Sequence, residues 1–92
     1  MIQSFKCPFT QALFEGRRVP RFVNFQAVAE RKLQMLHRAV VLDDLRIPPN
    51  NRLEALKGDR AGQHSIRIND EWRIWFVRTD AGPEEVEIVD YH

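Results

Sequence analysis

Residues 63–78 read QHSIRINDEWRIWFVR, in which apolar and polar side chains alternate on either side of a short polar break. Alternation with a period of two is typical of a β-strand that buries one face. We therefore predict strands over Gln63–Asn69 and Trp72–Arg78, joined by a turn at residues 69–71. Such a short connection makes the two strands antiparallel neighbours.

The register of this hairpin follows from its apolar residues. Pairing Arg67 with Arg73 also pairs Ile66 with Ile74, so that the large apolar side chains share one face. A slip of one residue would instead set Ile68 opposite Arg73. The same register predicts two neighbouring arginines on the other, solvent-facing side of the sheet.

The flanking sequence predicts an antiparallel meander covered by helices. We predict a last strand over Glu85–Tyr91 and a short edge strand over Met1–Phe5. Apolar residues at three- and four-residue steps predict a helix over residues 24–40, capped by Asn24, and a shorter helix is predicted over Thr10–Gly16. The predicted fold class is α+β, with two N-terminal helices packed on one face of an antiparallel β-sheet.

Composition bounds the class of protein. The 92 residues, 43% of them apolar and 29% charged, predict one domain spanning residues 1–92. The net charge is only +1, so any anion site has to be local. A single cysteine, Cys7, suits a reducing compartment, and no segment reads as a signal peptide or a membrane span. We expect a cytoplasmic protein.

Two classes of site lack support in the sequence. There is no Cys-x-x-Cys or His-x-x-His pair for zinc, and no glycine-rich pattern for a nucleotide cofactor. His64 shares the parity of Ile66 and is expected at the edge of the core. We therefore expect neither a metal nor a cofactor.

The paired arginines are the strongest indication of a functional site in the sequence. Like charges directly opposite each other destabilise a strand pair, so stability alone does not explain Arg67 beside Arg73. Two converging guanidiniums would clamp a phosphate or a carboxylate. The alternative is a solvated ladder in which Glu87 neutralises them. Trp75, exposed by parity, suits stacking on a base or contact with a protein partner.

Several runs of residues resemble the HigB toxins of the RelE/ParE superfamily. They are NRLEALKGDRAG at residues 51–62, SIRIN at 65–69, WRI at 72–74 and VDYH at 89–92. The resemblance extends from Met1 to His92 without an insertion. It implies the helix-pair-and-sheet fold and a toxin of a type II toxin–antitoxin system.

The resemblance also implies an activity, namely ribosome-dependent cleavage of messenger RNA without a metal. The ribose 2′-OH attacks the adjacent phosphate, which needs a base, a positive charge beside the phosphorane and an acid on the leaving oxygen. By resemblance to the related YoeB branch, Glu54 is the base, Arg73 the phosphate clamp and His92 the acid. The other residues implied are Lys57 and Arg67 at the phosphate, Asp90 and Tyr91 beside the nucleotide or His92, and Arg60, Asn69 and Trp75 as RNA contacts.

The implied partners are a HigA-like helix-turn-helix antitoxin, the ribosome with messenger RNA in its A site, and operator DNA through the antitoxin complex. Two other functions stay open. One is a ParE-like toxin that targets gyrase, and the other is a catalytically silent module that binds antitoxin and operator DNA. Because Arg73 is expected on the solvent side, replacing it with alanine should cost more activity than stability.

Overall fold

The computed structural model describes residues 1–60 and 62–90, which form two helices and a four-stranded sheet. The elements are α1 (Pro8–Phe14), α2 (Gln26–Arg38), β1 (Glu54–Ala55), β2 (Gln63–Arg67), β3 (Trp72–Thr79) and β4 (Gly82–Asp90). The strands lie in the order β1-β2-β3-β4, and every neighbouring pair is antiparallel. The predicted α+β architecture is confirmed.

The central hairpin has the predicted register. Arg67 lies opposite Arg73 and Ile66 opposite Ile74. Both isoleucines are fully buried, as expected for strands that turn one face towards the helices.

The two outer strands differ from the sequence prediction. β1 was not predicted, because two residues are too short to show an alternating pattern. β4 begins at Gly82 instead of Glu85, since the connection from β3 is only Asp80-Ala81. The register between β3 and β4 then shifts by one residue, and Glu85 in the bulge has a φ of 51°.

Helix α2 begins two residues later than predicted, and its predicted cap is wrong. Asn24 lies in a 3₁₀ turn over Pro20–Phe25, which leads directly into the helix. The capping position is Phe25, whose side chain makes no capping hydrogen bond. Pro20 favours the early turn, because its fixed φ suits the first position of a helical segment.

Helix α1 lies two residues before its predicted range, with Pro8 in its first turn. The predicted C-terminal glycine is confirmed, since Gly16 adopts a φ of 88° and its N–H donates to the Leu13 carbonyl at 3.0 Å.

The N-terminal segment follows β4 without forming the predicted strand. Gln3 N donates to Pro83 O at 2.8 Å, and Lys6 N donates to Val86 O at 3.0 Å. Among the described residues, the only strand pairing of this segment is an isolated parallel bridge between Phe5 and Val86. The segment nevertheless covers the backbone of the outer strand.

The core lies between the helices and one face of the sheet. Trp72 anchors one end, with its ring 5.7 Å from that of Phe22 and 5.0 Å from that of Phe25. His64 stacks on Phe76 at 6.0 Å, which confirms its expected place at the edge of the core. The buried apolar residues are Leu13, Val19, Phe22, Ala29, Leu33, Leu36, Leu45, Ile66, Ile68, Ile74, Phe76, Val86 and Ile88.

Over the described residues, both helices are too short and too polar to cross a lipid bilayer.

Candidate functional site

The face of the sheet turned away from the helices carries two rows of mainly polar residues. Because directly opposed residues share a face, the register places Glu54, Ser65, Trp75 and Glu87 in one row across all four strands. The neighbouring row contains Arg67, Arg73 and Val89. These rows bring four of the predicted site residues onto one surface, namely Glu54, Arg67, Arg73 and Trp75.

Arg73 is buried, and its predicted solvent-facing placement is wrong. Only 5% of the residue is exposed. Its Nε donates to Ser65 Oγ at 2.9 Å, one terminal nitrogen donates to the Arg52 carbonyl at 2.6 Å, and the same nitrogen lies 3.8 Å from a Glu54 carboxylate oxygen. The segment containing Arg52 and Glu54 therefore contacts the guanidinium, a tertiary contact that strand parity does not reveal.

Arg67 and Arg73 do not form the predicted two-guanidinium clamp. Their backbones are opposed as expected, but Arg67 forms an ion pair with Asp70 in the hairpin turn. Arg73 reaches the other way along the strands, towards the row of Ser65 and Glu54. Separate partners for the two side chains also relieve their mutual repulsion.

Glu54 owes its position to β1. It pairs with Ser65 across the strands, and the following backbone is held by a hydrogen bond from Leu56 N to Gln63 O at 2.9 Å. Its side chain is 48% exposed, so the carboxylate contacts Arg73 on one side and solvent on the other. An accessible carboxylate can accept a proton from a hydroxyl group that binds within hydrogen-bond distance of it.

Lys57 and Arg60 lie on the segment between β1 and β2. Lys57 is exposed and lies two residues beyond the end of β1, and Arg60 lies in a 3₁₀ turn over Gly58–Arg60. This segment connects the edge strand β1, which carries Glu54, to β2.

Asn69 has a structural function in the hairpin turn. Its Oδ1 accepts hydrogen bonds from the backbone N–H groups of Glu71 at 2.8 Å and Trp72 at 2.9 Å. This is the local turn that asparagine typically forms. Trp75 is half-buried, where strand parity predicted an exposed ring.

The C-terminal residues are only partly within the described chain. Asp90 is exposed at the end of β4 and lies opposite Trp72, which packs towards the helices. Alternation therefore places Asp90 on the other face of the sheet from Arg73. The predictions for Tyr91 and His92 fall outside the described residues.

Sequence reasoning missed the groups that hold Arg73. Ser65 shares the parity of Arg67, so its hydroxyl was a recognisable signal for a partner on this face. The Arg52 carbonyl gave no signal, because it is a backbone group in an irregular segment. Asn51, directly before it, is fully buried, and its Oδ1 accepts a hydrogen bond from Lys32 Nζ.

Lys32, which bonds to Asn51, lies on helix α2. Its partial burial lowers the pKa of its ammonium group, and the neighbouring guanidiniums of Arg31 and Arg67 lower that pKa further. For metals, residues 1–60 and 62–90 contain no cluster of three or more His, Cys, Asp or Glu side chains.

Comparison with known proteins identifies the family. A model of the RelE-like toxin HigB of type II toxin–antitoxin systems matches residues 4–92. Toxin HigB-1 of Vibrio cholerae serotype O1 is 35% identical over 82 residues, which cover 87% of this chain and 86% of that protein. An uncharacterised Haemophilus influenzae protein is 38% identical over 53 residues, or 58% of this chain and 52% of its own length.

A solved structure supports the same fold. The YoeB-YefM complex from Staphylococcus aureus contains a chain that superposes with a TM-score of 0.60 at 21% identity, covering 100% of this chain and 98% of that one. The match to residues 4–92 and the identity to the Vibrio toxin place this chain in the HigB-like family of type II toxins.

Proposed function

We propose that this toxin is a ribosome-dependent endoribonuclease that cleaves messenger RNA in the A site. The observation that carries the proposal is the pairing of Arg73 with Glu54. A guanidinium held by Ser65 Oγ and the Arg52 carbonyl lies 3.8 Å from a half-exposed carboxylate. A fixed cation beside a candidate base is what phosphodiester cleavage by an internal hydroxyl requires.

In the proposed reaction, Glu54 takes the proton from the ribose 2′-OH. The 2′-oxygen then forms a bond to the adjacent phosphorus, and the bond from phosphorus to the 5′-oxygen breaks. His92 donates a proton to that leaving oxygen. The products are a 2′,3′-cyclic phosphate and a 5′-OH, with no metal or cofactor.

Arg73 stabilises the charge that builds up on the phosphorane oxygens. Because its hydrogen-bond partners already hold it, the guanidinium does not have to reorganise as the charge develops. Lys57 and Arg67 bind phosphate groups of the same RNA. Tyr91 orients the nucleotide or His92, Asp90 orients His92 from the end of β4, and Arg60, Asn69 and Trp75 contact the flanking RNA.

The proposed partners follow from the family and from the fold neighbour. The similar structure is a YoeB-YefM complex, and type II toxins are defined by their pairing with an antitoxin. We propose a HigA-like helix-turn-helix antitoxin for this chain, which brings the complex to operator DNA. The toxin then acts in the cytoplasm, where its ribosomal target is found.

The test is cleavage of a defined messenger by purified toxin, with and without programmed ribosomes. The wild type should cut at fixed codon positions only when ribosomes are present. Glu54→Gln and a variant lacking His92 should each cut at least about a hundredfold more slowly, which is within the usual range for losing a general base or acid. Glu85→Gln removes the same charge from an exposed position on β4 and should cut normally.

Glu54→Gln is the primary variant because its side chain is half exposed, so that the fold should tolerate the amide. A wild type that arrests growth but never cleaves messenger RNA would contradict the proposal and point to gyrase. Normal cleavage by Glu54→Gln would remove Glu54 as the base.

A further inference from the structure

We propose that Lys32 and Asn51 are positioning residues, which hold the Arg52 carbonyl in place and thereby fix the guanidinium of Arg73. As far as catalysis is concerned, this inference rests on the proposed RNA cleavage. The structural part of the inference stands independently of that activity.

Asn51 is the centre of the connection. It is fully buried, and its Nδ2 donates to the Leu45 carbonyl at 3.0 Å and lies 3.0 Å from the Met35 sulfur. Its Oδ1 accepts a hydrogen bond from Lys32 Nζ. The side chain therefore joins helix α2 to the irregular segment that precedes β1.

The next residue carries this connection to the site. Arg52 adopts a left-handed conformation with φ 46° and ψ 56°, which is unfavourable for a residue with a Cβ. The backbone bonds from Asn51 N to Pro48 O at 3.0 Å and from Arg52 N to Pro49 O at 3.1 Å help to hold it. In this conformation the Arg52 carbonyl accepts the 2.6 Å hydrogen bond from Arg73.

Lys32 lies on α2, in the helix layer, whereas the side chain of Arg73 lies on the opposite face of the sheet. The connection through Asn51 and Arg52 therefore couples the two layers around the edge of the sheet. Burial and two nearby guanidiniums oppose the charge of Lys32, yet its ammonium still bonds to Asn51. A surface lysine with no positional function would turn towards solvent instead.

Lys32→Met is the variant that tests this connection. Methionine keeps an unbranched apolar stem on the helix but removes the donor to Asn51. Arg31→Met is the matched control, because it removes the same charge from the adjacent, exposed helix position. Asn51 itself is a poorer first target, since its replacement leaves the buried Leu45 carbonyl without its donor and threatens folding.

The first readout is the Arg73 Nε–H signal in nitrogen-15 NMR spectra, assigned by its loss in Arg73→Lys. This group donates to Ser65 Oγ and is shielded in the folded protein. Lys32→Met should speed its exchange with solvent at least about fivefold, and Arg31→Met should leave that rate unchanged. Lys32→Arg, which restores a donor, should return the rate towards the wild-type value.

The second readout is messenger cleavage on programmed ribosomes. Lys32→Met should lower kcat about tenfold and change KM by less than about twofold, because small displacements of a catalytic group act on the reaction step. Arg31→Met should keep both constants. This pattern separates positioning from a general loss of RNA affinity, which would raise KM in both variants.

The outcomes distinguish the two proposals. An Arg73 exchange rate in Lys32→Met within about twofold of the wild type would overturn the positioning inference, whatever the cleavage assay gives. If the exchange at Arg73 is faster in Lys32→Met but the wild type never cleaves RNA, the connection is supported and the proposed reaction is refuted. Equal effects of Lys32→Met and Arg31→Met on both readouts would also overturn the inference, because they would show that Lys32 contributes only its positive charge.

Discussion

Replacing Arg73 with methionine should destabilise the fold markedly, although the residue belongs to the candidate site. Strand parity alone predicts little loss of stability. It places Arg73 in solvent opposite Arg67, so that replacing Arg73 would remove the repulsion between the two charges. The structure instead has Arg73 only 5% exposed, with hydrogen bonds to Ser65 Oγ at 2.9 Å and to the Arg52 carbonyl at 2.6 Å.

The magnitude follows from these contacts. Hydrogen bonds that involve a charged group contribute roughly 1.5–3 kcal/mol each. The ion pair with the half-exposed Glu54, at 3.8 Å, adds at most about 1 kcal/mol. Burying the guanidinium offsets part of this gain. We expect Arg73→Met to lower the free energy of unfolding by about 2–4 kcal/mol, since the two hydrogen bonds outweigh the desolvation cost.

The assay is urea and thermal unfolding followed by circular dichroism. For a chain of this size, 1 kcal/mol corresponds to roughly 4–8 °C in Tm, so Arg73→Met should melt at least about 10 °C lower. Arg67→Met is the matched control, because Arg67 pairs with Asp70, whose side chain is 93% exposed. That control should lose less than about 1 kcal/mol. Equal stability losses in the two variants would refute the burial argument.

Three further variants test the parts of the fold that support the site. Asn69→Ala should lower the free energy of unfolding by about 1 kcal/mol, because two backbone N–H groups of the turn lose their acceptor. Asn69→Asp keeps an acceptor oxygen and should retain most of the stability. An unchanged urea midpoint in Asn69→Ala would contradict this prediction. Gly82→Ala should be strongly destabilising in the same assay, because Gly82 has a φ of 135° and an added Cβ would overlap the backbone oxygen of Met1; a wild-type Tm would show that the N-terminal segment does not lie there. Burial, and then the charge of Arg78, lower the pKa of His64 below its ordinary value of 6.5, so its contribution is complete above pH 6.5 and is lost as the pH falls through the folded-state pKa. His64→Phe should therefore remove part of the stability loss on acidification, and parallel curves for the two proteins would exclude His64 as the cause.

The sequence predicted the parts of the molecule that depend on local periodicity. The hairpin register was recoverable because slipping it by one residue would move apolar side chains to the wrong face. Periodicity did not predict the position of Glu54 beside Arg73, which only the family resemblance implied, since β1 has only two residues and its pairing with β2 spans an irregular segment. The cap at Asn24 failed for a related reason, because the 3₁₀ turn that begins at Pro20 runs into α2 without a break.

The sequence by itself determined the alternation of the strands, the shared face of Arg67 and Arg73, and the resemblance to a toxin family. Only the tertiary structure decided that Arg73 is buried and that Arg67 reaches away from it. The physical reason is that burial depends on what covers a face. Here Arg52 and Glu54, about twenty residues earlier in the chain, contact the guanidinium of Arg73, and Asn51 beside Arg52 bonds to the Lys32 ammonium.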